Sequence, residues 1–351
     1  MVIGWLALSS GATAAGPQGA GWIRLGPENG RGAESASGEA NLLQAPAFGF
    51  IYDRERMELQ SMVGVPGCAL LDNGRQMPED MAGLFFAPGQ GYALAEIERP
   101  HALRLLPLSG EGGAAAVDLP EALFEPTRLA FSPTGSFLAL FSARELRLQL
   151  YGRLPEDPVL LWDIAGHRNL EGIRLLAVSD RGFLMFVGGD GNLYSAGGGT
   201  TAMYPLQPGD VAGLAFLPGG DEALAYDRSG DRLLRIESAS GLPSVSPVSS
   251  GRIHLDGEIF LAGEEGRAIL GSSLSEELWL VRLSTGEEEN LSLPFAPKTL
   301  LRLPQSQTYL LSYEPGRPAW VLAFNESKGA AYFVPARPDE PLQGRRDRRR
   351  K

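Results

Sequence analysis

A short apolar run, a turn built on proline or glycine, and a second apolar run recur at nearly constant spacing along this chain. No other feature restricts its fold as much. The clearest copy is "RLAFSPTGSFLALFS" from Arg128. Five others line up with it on the turn: "GLFFAPGQGYALAEI" from Gly83, "RLLAVSDRGFLMFVG" from Arg174, "GLAFLPGGDEALAYD" from Gly213, "EIFLAGEEGRAILGS" from Glu258 and "LLRLPQSQTYLLSY" from Leu300. The turn residues are Pro88, Pro133, Asp180, Pro218, Glu264 and Pro304, spaced 45, 47, 38, 46 and 40 residues apart, a mean of about 43. That period is the length of a four-stranded propeller blade.

The runs themselves say why. Phe137 to Phe141 is apolar at every position, whereas a strand with one wet face alternates apolar and polar residues. Both faces must be buried, and a sheet packed between two neighbouring sheets provides that. A buried helix is also apolar all round, but these runs are only about five or six residues long and are broken by Pro and Gly, which favours strands. Ser132-Pro133-Thr134-Gly135 makes a tight turn, with Pro fixing φ and Gly free to take positive φ. The 45 glycines and 26 prolines of the chain suit many such turns.

Each unit holds two further strand-like runs: "LRLQLYGRL" and "VLLWDI", then "NLYSA" and "AMYPL", then "RLLRIES" and "SVSPVSS". The expected fold class is therefore all-β, a β-propeller of four-stranded blades. Residues 47–336 number 290, about 6.7 periods. Six units are complete, and the fraction is "FGFIYDRERMELQSM" from Phe48, read as a third and fourth strand without a first and second. A seven-bladed ring with a reduced first blade beside the last one is expected, because a ring with an open edge exposes unpaired strand groups. A six-bladed ring with an added hairpin is the alternative.

These units resemble the periplasmic and secreted propellers of the TolB-like, WD40-like and YVTN group, whose recurring phrase is close to "FSPDG". Here it stands as Phe131-Ser132-Pro133-Thr134-Gly135, and in weaker form as Val178 to Gly182. The stretch from Leu160 to Ala196 is similar to a WD40 repeat, with Trp162-Asp163, Gly166-His167 and a turn carrying Asp190. The resemblance implies a bacterial member of the group and a structural hydrogen-bond network involving His167 and Asp190. The aromatic on the third strand is Tyr194, a departure from that pattern, and the other units lack the Gly-His and Trp-Asp pairs. Propellers host enzymes and scaffolds alike, so the likeness does not fix a function.

The net charge of −11 argues against nucleic acid as a partner. Residues Arg345 to Lys351 contribute +5, leaving −16 for the other 344. Residues 337–351 read as a basic disordered tail. The single cysteine, Cys68, allows no internal disulfide and reads as a small buried apolar residue. Residues 1–14 read as a signal peptide, with an apolar run from Val2 to Leu8 and a cleavage site at Ala12-Thr13-Ala14, although the basic start is missing. The run is too short for a transmembrane segment. Residues 15–46, rich in Gly, Ala and Ser, read as a linker. A periplasmic or extracellular location follows as an expectation, with a monomeric state.

The three histidines, His101, His167 and His254, all fall in loops that a propeller places on one face. They are the candidate ligand-binding residues of the channel face. Convergence would suit zinc, but no metal and no cofactor is expected. No serine or cysteine sits in a nucleophile elbow, and no glycine-rich stretch has phosphate-loop spacing. The acidic pairs Glu264-Glu265 and Glu276-Glu277 and the run Glu287 to Glu289 fall in turns, where solvated carboxylates are expected. The expected function is a non-catalytic scaffold binding a protein, peptide or glycan at the bacterial cell envelope. The alternative is a propeller enzyme, lactonase-like or another hydrolase, with its site at the channel mouth.

Overall fold

The computed structural model describes residues 8–9, 47–72, 74–108, 115–197, 200–206, 209–237, 243–249, 251–305, 307–315, 317–325 and 328–336. They form a seven-bladed β-propeller. The blades are antiparallel sheets spanning 47–76, 81–118, 128–165, 175–206, 211–247, 259–292 and 301–334, here blades 1 to 7. In blades 2 to 7 the four strands follow one another in sequence order from the inner strand outward. Five of the six turn residues singled out by the repeat lie between the first and second strands of their blades, and the sixth, Glu264, ends the first strand of its own.

The core is divided among the gaps between blades, as strands apolar on both faces demand. Leu138–Ser142, Leu184–Val187 and Thr308–Ser312 are buried at every position. One apolar cluster fills the gap between blades 2 and 3, another that between 3 and 4, and so on to blades 6 and 7. The outer strands lose this double burial, and Ser244–Pro247 is exposed throughout. Sequence reading placed Cys68 in the interior; it lies on the outermost strand of blade 1 and is exposed. In Cys68–Leu71 the alternate residues Ala69 and Leu71 point to the core, so their neighbour Cys68 points out.

Blade 1 is reduced, but not as its sequence suggested. Its strands Ala47–Asp53 and Glu58–Val65 are followed by a split outer strand, Cys68–Leu71 and Arg75–Gln76, both pieces pairing with Glu58–Val65. Phe48 packs with Phe86 and Leu303, at the turn ends of the neighbouring inner strands, whereas Tyr52 packs with Met81 and Ile97 at the opposite ends. The strand therefore runs like a second strand. Asp53 confirms the assignment: like Asp227 at the end of the second strand of blade 5 it is 1% exposed, and both accept backbone N–H groups of the following turn. The pair read as third and fourth strands is the second and third, and the inner strand is the one lacking among the described residues.

A side chain from blade 2 takes up what that strand would satisfy. Phe50 N donates to Gln90 Oε1 at 2.7 Å, and Gln90 Nε2 donates to Phe50 O at 2.9 Å. Gln90 is 1% exposed, so this amide pairing is fully desolvated on the glutamine side. On the other flank Leu71 N donates to Pro335 O at 3.3 Å. One apolar cluster joins Ile51, Met62 and Leu71 of blade 1 to Leu310, Val321 and Val334 of blade 7. The ring thus closes by side-chain packing and a few hydrogen bonds.

The signal-peptide, linker and tail expectations fall outside the described residues, except Leu8–Ser9, a two-residue strand parallel to Ala262–Gly263. Among the described residues no helix is long and apolar enough to cross a membrane.

Neighbouring turns are also tied directly. Asp180 Oδ1 in blade 4 accepts from Thr134 N at 2.8 Å and Thr134 Oγ1 at 2.7 Å in blade 3, while Oδ2 accepts from Gly219 N of blade 5 at 2.8 Å. Asp180→Ala removes the carboxylate that these donors share and is expected to cost about 0.5–1.5 kcal/mol in urea unfolding. Arg181→Ala, whose side chain is 68% exposed, should cost less than about 0.5 kcal/mol. Equal effects of the two substitutions would remove the tie from the account.

Candidate functional site at the channel mouth

Antiparallel order puts the loops that join blades on the same face as the loops between second and third strands. His101 follows the second strand of blade 2, His167 precedes blade 4 and His254 precedes blade 6, so all three lie on this face. They do not share a site. His101 makes an edge-to-face contact with Phe124 at 4.6 Å between centroids. His167 Nδ1 accepts from Asn169 N at 3.3 Å and caps a short 3-10 turn. His254 is 73% exposed, with Asp231 Oδ1 at 3.1 Å and Asp256 Oδ2 at 3.7 Å. Among the described residues no three His, Cys, Asp or Glu side chains gather as a metal-ligand set.

Asp190 accepts from Tyr194 OH at 2.5 Å, Asn192 N at 3.0 Å and Asn192 Nδ2 at 2.8 Å. These hydrogen bonds hold its carboxyl below the ordinary aspartate range. Asp190 and the residues next to His167 line one cavity of about 570 Å³, with Arg168, Asn169 and Tyr194 on its walls. No hydrogen bond between His167 and Asp190 occurs among the described residues. A second cavity of about 440 Å³ lies on the opposite face of blade 6, lined by Arg267, Arg282 and Glu287 to Glu289.

The mouth of the central channel is where side chains of distant blades meet. Each inner strand begins there, and charged residues stand at or just before several of these beginnings: Asp80, Glu125, Arg128, Arg174, Asp210 and Glu258. Arg128 is fixed by two backbone carbonyls, its Nε donating to Arg174 O at 3.1 Å and its Nη1 to Thr127 O at 2.9 Å. Burial raises the Glu258 carboxyl above its usual range, and the positive charge of Arg128 opposes that rise. Arg128 belongs to blade 3 and Glu258 to blade 6, so this interaction spans the ring. Glu96, at the end of the second strand of blade 2, is raised first by burial and then by the charge of Glu125, although Glu125 N–H donates to it. Two carboxylates and a fixed guanidinium thus share one rim, where burial strengthens every charge interaction.

Sequence reading found the histidines on this face and missed these charges. The signal was present. Arg128 stands five residues before its turn residue, and Arg174 and Glu258 six before theirs, each at the head of an apolar run.

No protein-family model matches the chain, and no curated protein matches it in sequence. Solved structures do. A chain of the mitotic checkpoint complex is 14% identical, with 78% of this chain and 83% of that one covered and a TM-score of 0.52. A functionally unknown protein from Desulfotomaculum acetoxidans DSM 771 is 12% identical, covering 84% of this chain and 100% of its own, with a TM-score of 0.53. At such identities the likeness establishes the fold alone: the chain is a seven-bladed β-propeller.

A glutamate whose folded pKa is raised holds its proton more tightly folded than unfolded, so its contribution to stability falls as pH rises past the ordinary value of about 4.3. Glu96→Gln removes that fall. The melting temperature of the variant, relative to the parent, is expected to rise between about pH 4 and pH 7. A relative fall over the same range would contradict the assignment.

Proposed function

We propose that this propeller is a non-catalytic binding module that engages a protein, peptide or glycan at the channel mouth described above. The observation that carries the reading is the Arg128 side chain of blade 3, held by two backbone carbonyls on the same rim as Glu96 of blade 2 and Glu258 of blade 6. A ligand placed there touches several blades at once, and each blade is held in place by its neighbours. Propellers of this fold use such surfaces for recognition. The bacterial envelope is the proposed location, supported by the apolar N-terminal run and its small-residue cleavage site. The hydrolase alternative needs convergent ligands or a nucleophile and base, and the histidines stand in separate loops.

The test uses peptide and glycan arrays probed with the parent chain, with Arg128→Glu at the mouth and with Arg282→Glu on the opposite face. Signals specific to the parent should fall at least about tenfold with Arg128→Glu and stay within about twofold with Arg282→Glu. Signals indifferent to Arg128→Glu would contradict the reading. For the location, chain secreted from a bacterial host and sequenced from its N-terminus should begin at Ala15. An intact Met1 on chain retained in the cytoplasm would contradict it.

A further inference from the structure

This inference rests on the mouth being the binding site and goes on to the chemistry of its ligand. Three arginines in succession reach from one blade toward the next along one side of the ring. Arg128 of blade 3 donates to Arg174 O at the start of blade 4 at 3.1 Å. Arg174 Nη2 extends to 3.9 Å from Asp210 Oδ1, just before blade 5. Arg228 of blade 5 donates from Nη2 to Gly257 O, before blade 6, at 2.6 Å. Together they form an arc of guanidinium groups from blade 3 to blade 6.

Two of these arginines are oriented by neutral groups, and the acidic groups that face the arc are Asp210 beside Arg174 and Glu258, on which the charge of Arg128 acts. Arg128 and Arg228 are held by backbone carbonyls, which carry no net charge. The one ion pair in the arc is long, and both its side chains are about half exposed, at 48% and 47%, so it is weak. Arg228 Nε is buried and has no hydrogen-bond partner among the described residues. The chain, of net charge −11, thus presents ordered guanidinium groups at its mouth, interleaved with the carboxylates of Asp210 and Glu258.

We infer that this arc is the subsite for a carboxylate group of the ligand. A guanidinium presents paired N–H donors that match the two oxygens of a carboxylate, and orientation by carbonyls lowers the entropy lost on binding. Phosphate also suits arginine; a planar carboxylate matches one guanidinium fork with both of its oxygens, and the titration below separates the two anions. An extended nucleic-acid backbone is disfavoured by the rim carboxylates Glu96, Glu125 and Glu258.

The test is an NMR titration of the full chain at low salt with three probes: an acetylated Asp-Glu hexapeptide amide, trigalacturonate and inorganic phosphate. Expected are saturable shifts at Arg128, Arg174 and Arg228 with a carboxylate probe. Its Kd should weaken at least about tenfold in Arg128→Gln/Arg174→Gln. The melting temperature of the variant shows that it is folded, and Arg128→Lys, which keeps charge without the fork, should fall between. Whether peptide or uronate binds identifies the source of the carboxylate. Silence from both carboxylate probes, equal affinity in the double variant, or preference for phosphate would overturn the inference. A neutral ligand from the arrays that binds the mouth equally well in the double variant would also overturn it, while leaving the mouth as the binding site.

Discussion

Everything in this molecule depends on each sheet being buried on both faces by its neighbours. A single blade cannot supply that burial for itself, so the apolar strands are stable only when the ring is complete. The junction of blades 7 and 1 is therefore the critical one. Among the described residues no strand is shared across it. Ile51, Met62 and Leu71 pack against Leu310, Val321 and Val334, Gln90 pairs with the Phe50 backbone, and Pro335 O receives Leu71 N–H.

Ring closure is also what makes a site possible. Arg128, Arg174 and Glu258 are separated by 46 and 84 residues in sequence. They share a rim because the inner strands they introduce are held around one axis by the packing between blades. Arg128 of blade 3 and Glu258 of blade 6 come from blades three places apart in the ring. Loosening one junction would spread these charges apart without touching any of them, so stability and recognition are coupled through geometry. On the opposite face Asp180 ties three successive turns, which resists the same loosening.

The blade period and the first-to-second-strand turns were legible because both arise from local chemistry: β-turns need Pro and Gly, and double burial needs uninterrupted apolar runs. The polarity of blade 1 was harder. "FGFIYDRERMEL" reads as two strands in any position, since a strand pair carries no mark of which pair it is. One mark did exist. Tyr52-Asp53-Arg54 repeats Tyr226-Asp227-Arg228, and both aspartates end second strands. The rim charges were hidden for another reason: a lone Arg or Glu before an apolar run looks like any solvated strand boundary until the ring shows where all such boundaries meet. Histidines drew attention by their chemistry, yet His101, His167 and His254 are held by separate local contacts.

Hydrogen exchange at the closing junction tests this account most directly. If the ring is closed as described, the amides of Phe50 and Leu71 should exchange as slowly as those of Leu184 to Val187 in blade 4, through global unfolding alone. Gln90→Ala should then speed Phe50 selectively. Fast exchange at Phe50 and Leu71 in the parent chain, with blade 4 still protected, would mean that the ring opens at this seam and that the rim charges are not held in one place.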